Sequence, residues 1–363
     1  MSVKGKPILL KVLLSPFAML YGLVVTIRNW MFDNGLLPSV SYGFPVICVG
    51  NITVGGTGKT PFTEYLVRLL QNRKKVGVLS RGYKRSTSGY ILSTKYSKAS
   101  EIGDEPCQIK RKFPDVVLAV DADRRRGITK MRETERPDVI LLDDAYQHRY
   151  VKPGLSILLI DYNRLVTEDS LLPMGNLREP VRSKNRAQIV VVNKCPSSAT
   201  PMDLRIIKKK LGLYPYQTLY FSSIAYGDFI PVFSTCCIEK ELMNPEALKR
   251  EGYSVLCVTG IASPKPLEDY IASFAKEVIS LPFGDHHNFT KSDMLLIEKQ
   301  FNSITSSKKL ILTTEKDAVR LQESPFLSEE MKRVICSVPL TVRFLNDAES
   351  FNKQILDYVG KDR

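Results

Sequence analysis

The sequence predicts an α/β protein: a parallel-sheet domain, a second and smaller α/β domain, and an apolar helix ahead of both. Three observations carry this. Short apolar runs alternate with helical stretches, a glycine-rich turn joins one such run to a helix, and the N-terminal segment has almost no charge. Continuous apolar runs of a few residues suit strands covered on both faces, as in a parallel sheet. With 363 residues, 44% of them hydrophobic and 25% charged, the chain has length for roughly two domains and a buried core.

The first element is the N-terminal helix, in residues 1–35. Between Pro7 and Ile27 the only charge is Lys11. A secretory signal needs a small-residue cleavage site, and none follows. A full membrane span of ~20 apolar residues is just possible by length. Lys11, Ser15, Ala18, Gly22, Thr26, Asn29 and Asp33 follow one another at steps of three or four and share one narrow helix face. Leu13, Leu14, Phe17, Leu20, Leu23, Val24 and Ile27 cover the rest, with Lys4, Arg28 and Trp30 near the ends as interfacial anchors. Pro16 is expected to kink or divide the helix. The pattern reads as a helix on a membrane surface with its small-residue face toward the protein. A buried core helix and a true span are the alternatives.

The parallel-sheet domain is expected over 36–225. Its strands are Val46 to Val49, Val76 to Ser80, Val116 to Val120, Val139 to Leu142, Ile157 to Ile160 and Ile189 to Val192, with a helix over Thr60 to Leu70. A boundary near Tyr226 begins the smaller domain, 226–363. There Val255 to Thr259 leads through Gly260 to Pro264 into a helix, and Leu310 to Thr313 forms another strand.

Lys and Arg number 52 against 38 Asp and Glu, a net charge of +14. Such a charge favours nucleic acid, an anionic membrane or phosphorylated ligands. No nucleic-acid-binding signature accompanies it, so nucleic acid is not an expected partner. The seven cysteines are scattered without a C-x-x-C pair, which is the usage of a reducing compartment.

Gly55-Gly56-Thr57-Gly58-Lys59-Thr60 follows a strand and opens a helix, the context a phosphate-binding P-loop requires. Glycines let backbone N–H groups turn onto phosphate oxygens, and the helix N-terminus adds its dipole. The nucleotide segment runs from Thr53 and Val54 through Thr60. Lys59 is placed to reach the β/γ-phosphates and the Thr60 hydroxyl to hold Mg²⁺. Thr53 stands where the strict pattern has glycine. Val54 stands where partition-type membrane ATPases have their signature lysine. Val139 to Leu142 with Asp143-Asp144 reads as the acidic strand end that holds Mg²⁺. Asn193-Lys194 resembles a guanine-reading motif, but Pro196 takes the place of its Asp, so the pair is expected to be structural and ATP is favoured over GTP. His148 follows the Asp143-Asp144 segment, and His286-His287 are the other histidines. By chemistry alone, Gly103-Asp104-Glu105-Pro106 is a turn.

Across nearly its whole length the chain resembles the tetraacyldisaccharide 4'-kinase family. The resemblance rests on Arg28-Asn29-Trp30, Val49-Gly50-Asn51, the glycine loop with Pro61, Ser80-Arg81-Gly82-Tyr83, Gly103-Asp104-Glu105-Pro106 and Asp143-Asp144-Ala145-Tyr146-Gln147-His148. Leu172-Pro173, Leu177-Arg178-Glu179-Pro180, Thr259-Gly260-Ile261, Asp285-His286 and Glu315-Lys316-Asp317-Ala318 complete it. Ala145 and Lys84 stand where the family often has glycine, and Asn176 interrupts a small and proline-rich loop.

The resemblance implies transfer of the ATP γ-phosphate to the 4'-hydroxyl of an acylated glucosamine disaccharide 1-phosphate, giving lipid IVA. It implies a monomer on the cytoplasmic face of a Gram-negative inner membrane, peripheral or monotopic. It makes Asp104 the candidate base, with His286 pairing to it as two domains close, and Lys59 the third catalytic residue. It makes Thr60, Asp143, Asp144 and Glu179 metal ligands, and Arg81, Tyr83, Gln147, His148 and Arg178 substrate contacts. The competing classes are a membrane ATPase switch that forms no lipid product and a basic nucleic-acid-binding protein.

Overall fold

The computed structural model describes residues 7–360; Lys4, expected as an interfacial anchor, lies outside the described residues. Ile8–Asp33 is one helix of 26 residues that runs through Pro16, so the proline does not divide it. Ala18, Gly22 and Asn29 on the small-residue stripe are buried, and Ser15 and Thr26 are half-buried. Lys11 and Asp33, at the two ends of that stripe, are exposed. Gly22 is needed there: a Cβ would come within 2.7 Å of Leu171 Cδ1. On the remaining surface Phe17 is 62% and Trp30 55% exposed, and Leu13, Leu20, Leu23, Val24 and Ile27 are exposed with them.

The chain forms two compact units that are not contiguous in sequence. The first comprises the described residues through Ser97, then Ile109–Ile224, then those from Val342 on; the second comprises Lys98–Gln108 and Ala225–Thr341. The junction after Ile224 falls beside Tyr226, but two segments lie elsewhere than the division into 36–225 and 226–363 expects. The C-terminal helix Ala348–Gly360 belongs to the first unit. It is held there by Phe351, edge-on to Phe62 at 5.7 Å, and by the Tyr358 hydroxyl, which donates to the Val46 carbonyl at 3.1 Å. The Lys98–Gln108 segment belongs to the second, because the Asp104 carboxylate bonds to Arg320 and His286.

The first unit carries a nine-stranded sheet. Its order is Leu340–Phe344, Thr218–Tyr226, Ile189–Asn193, Leu155–Asp161, Val46–Gly50, Val139–Asp143, Val76–Ser80, Val117–Val120 and Ile91–Leu92. Every pair from Thr218–Tyr226 to Val117–Val120 is parallel. The central strands are buried throughout because they meet apolar side chains on both faces. After Val46–Gly50 the chain crosses by the helix Lys59–Leu70 to Val76–Ser80 on one side, while Leu155–Asp161 flanks it on the other. In open parallel sheets, ligands bind beyond the C-terminal strand ends at such a reversal of order.

The second unit has a five-stranded sheet in the order Glu277–Pro282, Ser254–Thr259, Lys309–Thr314, Ile335–Val338 and Ile230–Pro231, with only the last pairing antiparallel. Its helix Glu315–Glu323 starts directly after Lys309–Thr314, capped by the Thr314 hydroxyl, which accepts from the Asp317 amide at 3.0 Å. None of the seven cysteines, all among the described residues, is in a disulfide, which agrees with their scattered spacing.

Candidate active site

In the first unit the glycine loop is shaped by Gly55 and Gly58, with φ of 95° and 86°. Side chains other than glycine rarely adopt these values. Gly58 is the N-cap of Lys59–Leu70 and brings no side chain to cap it, so the first amides of the helix stay turned to a ligand. The loop is braced from below. Asn193 Nδ2 donates to the Thr57 carbonyl at 3.0 Å, Asn51 Nδ2 donates to Thr57 Oγ1 at 3.0 Å, and Lys194 bonds to the Gly56 carbonyl and to Asp161. Asn193 and Lys194 therefore support the loop, as the missing Asp at Pro196 indicates. Gln147 Nε2 donates to the Asn51 carbonyl at 2.7 Å, and Val54 N–H donates to the Asn176 carbonyl. Thr53 is buried and Thr60 half-buried.

The acidic strand end divides into two roles. Asp143 accepts from the Thr63 hydroxyl at 3.2 Å and from the Ser80 hydroxyl at 3.4 Å. Asp144 turns outward in a left-handed conformation, φ 48°, between Lys59 Nζ at 3.6 Å and Arg178 Nη1 at 3.5 Å. Glu179 is buried, pairs with Arg186 at 2.7 Å and accepts from Asn29 Nδ2 at 3.1 Å. Asp144 Oδ1 and Glu179 Oε1 are buried oxygens that accept no hydrogen bond among the described residues. Oxygen donors of this kind suit Mg²⁺, so the chemistry of the set Thr60, Asp143, Asp144 and Glu179 is compatible with the ion.

The expected substrate contacts all lie in this unit. Arg81 and Tyr83 are exposed, and Arg178 is tied to Asp144. His148 is held below the ordinary histidine value, at about 4, first by burial and then by Arg124. It is therefore neutral near pH 7, with a buried Nε2 that has no hydrogen-bond partner among the described residues. Lys84, at a place where the family has glycine, carries the left-handed φ of 58° itself.

The second unit holds Asp104 and His286. Asp104 is not in a turn: it opens the helix Asp104–Lys112 after Gly103, whose φ of 95° redirects the chain. Pro106 fits within the first turn, where a helix amide has no partner to lose. His286 Nδ1 lies 2.9 Å from Asp104 Oδ2, so the pair is already formed inside one unit and needs no closure to bring it together. Arg320 grips the same carboxylate with two parallel bonds, Nε to Oδ1 at 2.9 Å and Nη2 to Oδ2 at 2.6 Å. Burial pushes the pKa of Asp104 up, but Arg320, His286 and Lys316 outweigh it and hold the carboxyl below its ordinary value. Lys316 Nζ reaches His286 Nε2 at 3.0 Å and Asp285 Oδ1 at 3.1 Å.

Asp104, Glu105 and His286 also present ligand atoms within 4.8 Å of one another. Arg320 and Lys316 already meet those groups with two positive charges, and a metal ion would have to expel both. Neither Lys316 nor Arg320 stands out in the sequence as a site residue. Their spacing of four on one helix puts both on one face, but such a pair is too common in sequence to mark a site.

A glycine loop over a parallel sheet, with a lysine and paired carboxylates at the strand ends, defines a P-loop phosphotransferase. The family model for tetraacyldisaccharide-1-P 4'-kinase matches residues 10–360. The chain belongs to that family, and it is a kinase. It is 52% identical over 354 residues to the tetraacyldisaccharide 4'-kinase of Bacteroides thetaiotaomicron, covering 96% of this chain and 93% of that one. It is 48% identical over 364 residues to the tetraacyldisaccharide 4'-kinase of Phocaeicola vulgatus, covering 99% and 98%. Among solved structures it is similar to LpxK from Aquifex aeolicus in complex with ATP, with a TM-score of 0.73, 27% identity and coverage of 96% and 99%.

Proposed function

We propose that the chain transfers the γ-phosphate of ATP to the 4'-hydroxyl of tetraacyldisaccharide 1-phosphate, with Asp104 and His286 acting together as the acceptor's base. The observation that supports this most is the 2.9 Å contact between His286 Nδ1 and Asp104. An ionised carboxylate on one imidazole nitrogen leaves the other to take a proton, the arrangement a general base needs. The hydroxyl proton passes to His286, the alcohol oxygen bonds to the γ-phosphorus, and ADP departs with the electrons of the broken P–O bond. Lys59 stabilises the charge that grows on the phosphoryl oxygens, and the Gly55–Thr60 amides orient the triphosphate. Thr60, Asp143, Asp144 and Glu179 would hold Mg²⁺. When bound, the ion neutralises charge shared between the β- and γ-phosphates. Arg81, Tyr83, Gln147, His148 and Arg178 serve the acceptor.

The helix Ile8–Asp33 is long and apolar enough to cross a membrane, yet its small residues pack on the first unit while its large apolar ones are exposed. That asymmetry supports a helix lying on a membrane surface, which the family resemblance assigns to the cytoplasmic face of the inner membrane, where the acceptor's acyl chains stay in lipid. Mass spectrometry of lipids after incubation with ATP, Mg²⁺ and the disaccharide 1-phosphate tests the reaction: a product heavier by one phosphate is expected. ATP hydrolysis without that product would leave only the membrane ATPase reading. Replacing Phe17, Leu20 and Val24 by polar residues should release the protein from anionic vesicles, whereas salt should release it only in part. A triple variant that stays on vesicles at full activity removes the surface-anchor reading.

A further inference from the structure

The two ring nitrogens of His286 meet groups of opposite kind. Nδ1 faces Asp104, whose carboxylate can only accept; Nε2 faces the Lys316 ammonium, which can only donate. That pairing matches the tautomer with its proton on Nδ1 and its lone pair on Nε2. Charged groups beside the ring include Asp104 and its partner Arg320 on one side, and Lys316 and Asp285 on the other, with Asp285 Oδ1 3.9 Å from Nε2. Glu105 faces Lys316 at 3.7 Å.

We propose that Lys316 and Arg320 are positioning residues that hold His286 in its Nδ1–H form, so that Nε2 is the atom that removes the acceptor's proton. Arg320 fixes both oxygens of Asp104, which leaves one direction in which that carboxylate can take the Nδ1–H. Lys316 occupies the place that the acceptor hydroxyl takes during the reaction. Its ammonium excludes a solvent proton from Nε2 until the hydroxyl, another donor, replaces it. When Lys316 moves off, Asp285 and Glu105 remain as its partners, so its charge is not stranded. This rests on the reading of Asp104 and His286 as the base and names the atom through which that base works.

Long-range ¹H–¹⁵N correlation spectra of the full-length protein give a direct test, because the chain has three histidines and a His286→Gln spectrum identifies the third set of signals. The expected pattern at neutral pH is a protonated Nδ1 and a lone-pair Nε2; a proton on Nε2 overturns the proposal. The kinetic test is Lys316→Met. Without the ammonium, Nε2 is left near Asp104, Asp285 and Glu105 with Arg320 as the remaining cation, and it takes a solvent proton more readily. The rate should fall about tenfold near pH 7 and recover as the pH rises. A loss that is the same at every pH means that Lys316 is only structural and overturns the assignment. Lys316→Arg, which retains a donor-only cation, should keep the wild-type profile and covers the case in which Lys316→Met does not fold. Arg320→Met should lower kcat about a hundredfold while changing the KM for ATP less than about twofold. A variant that raises the KM for ATP instead removes Arg320 from this role. Asp104→Asn and His286→Gln separate the two levels. If both keep the wild-type rate, the base reading itself fails; if both lose it while Lys316→Met shows a flat pH profile, only the proposal made here fails.

Discussion

Both units contain a strand that runs through a glycine turn into a helix, yet the two turns have opposite fates. In the first unit, Gly55–Gly58 follows Val46–Gly50, and the helix at Lys59 begins without a side-chain cap. In the second, Gly260 follows Ser254–Thr259, and its amide donates to Asp317 Oδ2 at 2.9 Å. Asp317 is buried, and burial pushes its pKa up in spite of the bonds from Gly260 and Thr314. The fit is close: a Cβ on Gly260 would meet Asp317 Oδ1 at 2.8 Å. One turn leaves its amides for an anion from outside; the other has an anion built in. Strand-turn-helix geometry thus makes a phosphate site only where the chain does not supply the negative charge itself.

Four experiments can break or sharpen this contrast. Lys59→Ala should reduce turnover about 10³-fold with the fold intact, because the open turn then lacks its mobile cation. Near-normal turnover in a folded variant would dissolve the distinction. Asp104→Ala and His286→Ala should each cost about 10²-fold, and the double variant hardly more than either, if the two act as one unit as proposed. Losses that multiply would separate them. Asp317→Ala should lower the stability of the protein by about 2 kcal/mol, because the Gly260 amide and the Thr314 hydroxyl lose their buried acceptor. ATP affinity should be unchanged, and a large fall in it would mean that the second turn is not merely structural.

The smallest effect concerns His148. Its folded-state value of about 4 lies below the ordinary 6.5, so the unfolded chain binds more protons between those values. Its contribution is therefore complete above about pH 6.5 and is lost as the pH falls toward about 4. A thermal midpoint that drops across this window should drop less in His148→Gln, and an identical drop in both proteins would assign it to other groups.

The sequence was most legible where function depends on consecutive residues. The glycine loop, Asp143-Asp144 and the stripe from Ser15 to Asn29 are local patterns whose chemistry or periodicity can be read along the chain. The two cations on Asp104 and His286 were not legible, because Arg320 meets Asp104 across 216 positions of sequence. Glu277–Pro282 was missed for a different reason: its side chains are half-buried or exposed, so no continuous apolar run marks it. The domain limits followed from the same blindness to distance. Nothing in the composition of Lys98–Gln108 or Ala348–Gly360 tells which core each joins.

The way the chain is shared between units has a consequence for the order in which the protein can be made. When the strand Val46–Gly50 and the helix Lys59–Leu70 emerge from a ribosome, the Phe351 and Tyr358 that complete their packing are still some three hundred codons away. Asp104 likewise waits for Arg320. Neither unit can finish before almost the whole message has been read, so the nascent chain holds uncovered apolar strands and an apolar N-terminal helix throughout its synthesis. Nascent chains in that condition are prone to aggregation. If the Ile8–Asp33 helix lies on a lipid surface as proposed, its early docking would keep the growing polypeptide apart from others during translation.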